Sequence, residues 1–379
     1  MTFNSLGLSD VLLKTLNDQH FSKPTPIQEK AIPAISSKKD VLGIAKTGSG
    51  KTASYVLPTL MNLQESLLTK NRQANVLVLV PTRELAEQVK EVFKTFSKNL
   101  LQPVKTLAVY GGVSINPQMM ALQGVNVLIA TPGRLLDLLS SNAVSLSAVE
   151  TLILDEADKM LNLGFKEDMD KIISLLPQER QNVLFSATLS DEVQNIQQLL
   201  LKDPVVIKID AEEDSLDLIK QVAYMISNDK KGPFLRYLIN HYEMKQVLVF
   251  ASSVHQVDAI VNKLRKNNIA AKAIHSKKSQ GSRTEALAQF KSGNLRVLVA
   301  TDLMARGIDI DALPFVINYE LPRSPKDYIH RIGRTGRAGS PGDAISLVST
   351  NELDHFGVIQ KKMGRQVALI DGEQIKLSS

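Results

Sequence analysis

The sequence predicts an α/β protein built from two similar parallel-sheet units in tandem. Three observations lead there. Short runs rich in Val, Ile and Leu recur without strict alternation, as in strands buried on both faces. Segments of helical period lie between them, the alternation that builds parallel sheets with helices on both sides. The pattern breaks once, in an acidic stretch, and restarts near Val222. The expected organisation is a first unit over residues 1–208, a short linker over 209–217 and a second unit over 218–379.

Taken in order, the first strand is expected at 41–44, directly before a glycine-rich loop. The runs 76–80, 127–129, 151–154 and 183–185 supply further strands of the first unit. Ser190 can cap a helix that carries Asp191 and Glu192 in its first turn and Val193, Ile196 and Leu200 on one face. In the second unit, 247–250, 297–300, 315–318 and 344–348 read as strands, the last of these closing the sheet. Helices are expected to contain 328–332 and 352–362, after which the chain ends within a few residues of Asp371.

Composition narrows the function. The chain has 379 residues, 44% hydrophobic and 22% charged, which excludes collagen-like, low-complexity and wholly disordered classes. It has no cysteine, so disulfides, thiolate metal sites and cysteine nucleophiles are excluded, and a reducing compartment fits. No apolar run approaches the roughly 18 residues of a membrane helix. The first residues, Met1-Thr2-Phe3-Asn4-Ser5, lack the pattern of a signal peptide. The expected location is the cytoplasm, with no membrane partner. Charge is uneven. Residues 1–208 hold 21 basic and 20 acidic side chains, whereas 218–379 hold 24 basic and 14 acidic. The linker carries five acids, Asp210, Glu212, Glu213, Asp214 and Asp217, and no base. A basic second unit suits a polyanionic partner, or simply a solvated surface.

Most strand candidates run straight into a cluster of special residues, and ligands of parallel sheets bind just beyond the strands' carboxyl ends. Two such edges facing across a hinge would form a cleft. After the first strand stands Ala45-Lys46-Thr47-Gly48-Ser49-Gly50-Lys51-Thr52. Its glycines let backbone N–H groups turn toward phosphate oxygens. Lys51 would reach the β and γ phosphates, and the Thr52 hydroxyl would ligate Mg²⁺. The strict phosphate-loop pattern fails only at Ala45, where glycine is usual. Asp155 and Glu156 follow another strand. Alone, Asp155-Glu156-Ala157-Asp158 also suits an acidic first turn of a helix. Beside a phosphate loop, Asp155 can hold Mg²⁺ through water and Glu156 can orient or deprotonate an attacking water.

Asp155-Glu156-Ala157-Asp158 resembles the name-giving motif of the DEAD-box ATP-dependent RNA helicases, and the other hallmarks stand in order around it. The loop at 45–52 is similar to that family's own phosphate loop, including Ala45. Phe21 and Pro24-Thr25-Pro26-Ile27-Gln28, with Phe3 upstream, resemble its adenine-reading Q motif. Pro81-Thr82-Arg83, Gly111-Gly112 and Thr131-Pro132-Gly133-Arg134 resemble its first RNA-contacting motifs. Ser186-Ala187-Thr188 resembles its coupling motif. In the second half, Gln280, Arg283, Thr301-Asp302, Gly307, Asp309 and His330-Arg331-Ile332-Gly333-Arg334-Thr335-Gly336-Arg337 complete the set. Two departures are His20, where the family usually has glycine, and Lys159, where arginine often follows; Lys159 is read as an exposed charge.

The resemblance covers essentially the whole chain and implies two RecA-like domains in a bacterial-type minimal helicase core. It implies ATP and Mg²⁺ as cofactors. Gln28 would match the adenine edge, Phe3 would stack on the base or serve as a hydrophobic anchor for the terminus, and Asp309 would bond the ribose. Arg334 and Arg337 would face the γ-phosphate, with Arg337 the finger. Asp158, Ser186, Thr188, His330 and Arg331 would couple the two activities. Pro81, Thr82, Arg83, Gly111, Gly112, Thr131, Pro132, Gly133, Arg134, Gln280, Arg283, Thr301 and Asp302 would hold RNA by its backbone. Aromatic residues are 5% of the chain and Trp is absent, so no base-stacking platform is expected. The implied activity is RNA-stimulated ATP hydrolysis by a monomer, coupled to domain closure on single-stranded RNA and to local, non-processive separation of short duplexes. The alternative is an ATP-gated RNA clamp or remodelling platform that acts with protein partners. No accessory RNA-binding domain is expected within these residues.

Overall fold

The computed structural model describes residues 2–46, 48–66, 71–209, 218–302, 313–336 and 341–375. The chain divides into two compact units, Met1–Ala211 and Glu212–Ser379. Each contains one seven-stranded sheet in which every pairing is parallel.

Unit 1 opens with α1 (Asp10–Asp18) and α2 (Pro26–Ser36). His20, between them, takes the left-handed conformation, φ 61°, which accounts for glycine being usual at that turn. There follow β1 (Val41–Ile44), α3 (Lys51–Glu65), β2 (Val76–Leu79), α4 (Arg83–Ser97), β3 (Thr106–Val109), α5 (Ile115–Ala121), β4 (Val127–Ala130) and α6 (Pro132–Ser140). The unit closes with β5 (Thr151–Leu154), α7 (Ala157–Asn162), α8 (Lys166–Ser174), β6 (Gln181–Ser186), α9 (Asp191–Leu200) and β7 (Val205–Lys208). The strand order is β3-β4-β2-β5-β6-β1-β7.

Alternation along buried strands sorts the core into two layers. Val76 and Val78 of β2, with Val127 and Ile129 of β4, face α2, α3 and α4. Leu77, Leu79, Leu128 and Ala130 face the layer of α6, α7, α8 and α9. Gly43 of β1 sits beside Phe185 of β6, where a Cβ would lie 2.2 Å from the ring. The missing side chain is what lets that ring lie against the sheet. Ser190 caps α9, accepting from Val193 N–H at 3.4 Å, and Val193, Ile196 and Leu200 are buried as their spacing requires.

Unit 2 comprises β8 (Ile219–Met225), α10 (Lys231–His241), β9 (Val247–Phe250), α11 (Val254–Lys266), β10 (Ala271–Ile274), α12 (Gln280–Lys291) and β11 (Val297–Ala300). It continues with β12 (Phe315–Asn318), α13 (Pro325–Ile332), β13 (Gly342–Val348), α14 (Leu353–Met363) and β14 (Ala368–Asp371). The order β10-β11-β9-β12-β13-β8-β14 makes β14 an edge strand paired with β8. The expectation that 344–348 is the last strand is therefore corrected. Ala368, Leu369 and Ile370 are exposed, so β14 lacks the doubly buried apolar run that marks the other strands. Among the described residues, no helix is long and apolar enough to cross a membrane.

Candidate functional site

In unit 1 the strand order assembles the site. The loops after β5, β6 and β1 are neighbours, and those after β3, β4 and β2 continue the same edge, since β2 pairs with β5. Backbone bonds stitch the loops together. Ala45 N–H donates to Ser186 O and Asp155 N–H to Leu79 O, each at 3.0 Å.

The phosphate loop leaves β1 and enters α3 at Lys51. Gly48 and Gly50 are left-handed, with φ 84° and 93°. At Gly50 a side chain is excluded twice over, because a Cβ would also lie 2.6 Å from Gln28 Nε2. Gln28 sits in the first turn of α2, where its Oε1 accepts from Thr25 N–H at 2.9 Å and its Nε2 donates to Gly50 O at 3.2 Å. It thereby ties the Pro24–Gln28 segment to the phosphate loop, and an amide retains further donor and acceptor capacity. Lys51 is buried and donates to Ala45 O at 2.7 Å, folded back over its own loop.

Asp155 and Glu156 are both buried. Asp155 Oδ2 accepts from the Tyr55 hydroxyl at 2.9 Å, and Oδ1 has no partner among the described residues. Burial pushes the Asp155 carboxyl up to about 6, against the pull of the Lys51 ammonium. Burial and the Asp155 charge likewise push the Tyr55 phenol well above its ordinary range. Glu156 is left-handed, φ 56°, at the sharp turn into α7. Its Oε1 accepts from Lys159 Nζ at 2.6 Å, and its Oε2 is buried without a hydrogen-bond partner. Lys159 is therefore no exposed charge: its side chain is 16% exposed and faces the carboxylate. Asp158 reaches the next loop, accepting from Thr188 Oγ1 at 3.1 Å, while Ser186 Oγ donates to Thr188 O at 2.7 Å.

Unpartnered carboxylate oxygens beside a hydroxyl are donors of the type Mg²⁺ prefers. No group of three or more His, Asp or Glu forms a metal cluster among the described residues. The unpartnered Asp155 Oδ1 fits an ion that keeps several waters and shares its shell with phosphates.

On the other half of the edge, Thr82 caps α4, accepting from Leu85 N–H at 3.3 Å. The Arg83 guanidinium lies over Gly112, within 2.8 Å of where a Cβ would be. Arg134 Nη2 donates to Val113 O at 2.9 Å. Pro81, Thr131 and Pro132 are buried, Gly111 and Gly133 partly open, and Gly112 exposed. Three separate motifs thus meet around the loop at 111–113, beside the N-termini of α4 and α6. Phe3 packs in the core, 5% exposed, and anchors the N-terminal segment with no ring face open for a base. Phe21 is 40% exposed and tilts against Phe96.

In unit 2, Gln280 opens α12 and Arg283 lies one turn on, buried in the unit. Asp302, after β11, is gripped by Arg331 through both carboxylate oxygens, Nη2 to Oδ2 at 2.7 Å. Arg331 also donates to Asn318 Oδ1 and Glu320 O and lies over the Phe250 ring at 5.0 Å. Asp302 and Arg331 are thus structural partners that brace the loops after β11 and β12. Thr301 is partly open, Arg334 is buried, and His330 is exposed. Thr47, Gly307, Asp309, Arg337 and linker positions 210–217 lie outside the described residues. Sequence reasoning missed Tyr55 and Lys159. Lys159 carries a spacing signal, three positions after Glu156 on one helix face, whereas Tyr55 reaches a residue one hundred positions away and has none.

The family model for DEAD/DEAH box helicases matches residues 25–196, and that for the helicase conserved C-terminal domain matches 230–339. The chain is 42% identical over 361 residues to the DEAD-box ATP-dependent RNA helicase CshA of Streptococcus pneumoniae, covering 95% of this chain and 68% of that one. A solved DEAD box protein from the hyperthermophile Methanococcus jannaschii is 36% identical, with TM-score 0.54 over 98% of this chain and 99% of the other. The S. cerevisiae protein Dbp5, solved bound to RNA and ADP BeF3, is 29% identical, with TM-score 0.83 over 98% of this chain and 95% of the other. With helicase matches running through both units and every motif in order, the chain belongs to the DEAD-box ATP-dependent RNA helicases.

Proposed function

We propose that the protein couples RNA-stimulated ATP hydrolysis to local, non-processive separation of short RNA duplexes. The observation that carries this reading is the row of strand ends in unit 1. The phosphate loop, the Ser186–Thr188 segment and the carboxylates occupy the β1, β6 and β5 ends, and the backbone-directed groups around 111–113 continue along the β2, β4 and β3 ends. Nucleotide and nucleic acid would then share one sheet edge, so that each can affect the other's binding.

The loop N–H groups and the α3 N-terminus bind the polyphosphate. Lys51 exchanges Ala45 O for the β and γ phosphates. Thr52 and Asp155 would hold Mg²⁺, which would neutralise charge developing on the phosphates. Glu156 Oε2 orients the attacking water and takes its proton. Gln28 reads adenine from its place beside Gly50, and Asp309 bonds the ribose. Arg334 and Arg337 come from the other unit to the γ-phosphate, with Arg337 the finger. Unit 1 holds the RNA backbone through Thr82, Arg83, Gly111, Gly112, Thr131, Gly133 and Arg134. Unit 2 adds Gln280, Arg283 and Thr301, on a loop braced by Asp302 and Arg331. Asp158 and Thr188 link the carboxylate loop to the β6 end and relay between the two ligands.

ATP and single-stranded RNA both favour closure of the two units of one monomer, because each makes contacts absent when they are apart. Their binding is mutually cooperative by about 1–3 kcal/mol. A closed track fits one strand, so closure expels the other, and loss of the γ-phosphate reopens it. The test is ATP turnover and strand displacement with purified protein alone. Glu156→Gln should keep ATP binding and lose RNA-stimulated turnover by about 100-fold or more, the scale of a lost general base. Full turnover in this variant would remove Glu156 from its assigned role. Turnover without displacement would favour an RNA clamp that acts through partners.

A further inference from the structure

We propose that Tyr55 is a positioning residue for ATP hydrolysis: its hydroxyl holds one oxygen of the Asp155 carboxylate so that the other is presented to the magnesium-bound water. The inference rests on the reading of Asp155 given above. Asp155 Oδ2 accepts from the Tyr55 hydroxyl at 2.9 Å, and Oδ1 is buried with no partner among the described residues. The two oxygens of one carboxylate are thereby made unequal. One is satisfied by protein and the other is left for a ligand.

Tyr55 is suited to this by its own restraint. It is fully buried, and its ring is wedged between Phe93 at 6.5 Å and Phe185 at 5.7 Å between centroids. Phe185 in turn lies against Gly43, so the sheet itself sets where the phenol oxygen stands. A hydroxyl carried on α3 therefore fixes Asp155 relative to the helix that the phosphate loop enters. Without it, Asp155 would be left to its neighbouring cations, Lys51 first and Lys159 after it. Pairing with Lys51 would draw that ammonium away from the phosphates.

Tyr55→Phe deletes the hydroxyl and keeps both ring contacts. Three quantities are to be measured beside wild type and Asp155→Asn: binding of a fluorescent ATP analogue across a magnesium titration, kcat and KM for ATP at saturating RNA, and RNA binding without nucleotide. A hydrogen bond to a charged group is worth about tenfold or more in equilibrium. For Tyr55→Phe we expect the magnesium midpoint to rise and kcat to fall by about 10-fold each, with nucleotide-free RNA binding unchanged. Wild-type magnesium midpoint and kcat in Tyr55→Phe, with Asp155→Asn impaired, would overturn the role of Tyr55 and leave the reading of Asp155 standing. An equal loss of nucleotide-free RNA binding would also overturn it, because it would mark a general structural defect. Asp155→Asn with a wild-type magnesium titration would overturn both.

Discussion

Asp155 illustrates how one residue can be tuned for a ligand at the expense of the fold. An Asp titrates near 3.9 in an unfolded chain, but burial raises this one to about 6. Between those values the folded state holds the extra proton. Stability therefore declines as pH rises from about 4 to about 6 and is level above. Asparagine keeps an oxygen for Tyr55 and has no charge to bury. In the absence of magnesium and nucleotide, Asp155→Asn should exceed wild type in stability by as much as about 3 kcal/mol at pH 8, and match it near pH 4. Urea unfolding at both pH values checks this, and an equal difference at the two would contradict it. The motifs made Asp155 and Glu156 legible as a pair. What they left out was the support, Tyr55 and Lys159, because a supporting residue is defined by the atom it reaches.

At the scale of elements, the strands buried on both faces were legible because their sequence carries the whole signal: β2, β4, β5, β9, β11 and β12 all lie where their apolar runs predict. The less apolar or partly exposed strands were not. β3 reads Thr-Leu-Ala-Val with two positions only partly buried, β7 is largely open, and β14 has its apolar side chains in solvent. Such strands are specified by their neighbours' pairing groups more than by their own composition. Contacts between elements are similarly invisible in sequence. Lys231, in the first turn of α10, is 2% exposed and pairs with Glu352 at 2.8 Å, while Glu352 also accepts from Ser349 N–H. Removing one partner of such a pair leaves a buried charge uncompensated. Glu352→Ala should lower the stability of unit 2 by about 3 kcal/mol, read by thermal or urea unfolding. A change below about 0.5 kcal/mol, the ordinary size of a surface substitution, would show the pair to be solvent-screened.

At the scale of the whole molecule, charge and chemistry are divided between the units. The first is nearly neutral, with 21 basic and 20 acidic side chains before the linker, and the second is basic, with 24 against 14 after it. Binding that reads an RNA backbone should lose affinity with salt at each phosphate neutralised. For about five contacts the loss is about 100-fold between roughly 50 and 200 mM salt. A titration with a labelled single strand measures it, and a flat dependence would count against backbone recognition. The same division applies to ATP hydrolysis. Unit 1 carries the phosphate loop and both carboxylates, and Arg337, the proposed finger, belongs to the other unit. The most direct measurement is ATP turnover by Arg337→Ala at saturating ATP and RNA. Near-normal ATP binding is expected with turnover reduced about 1,000-fold or more, the scale of a lost arginine finger. Full RNA-stimulated turnover in that variant would contradict it.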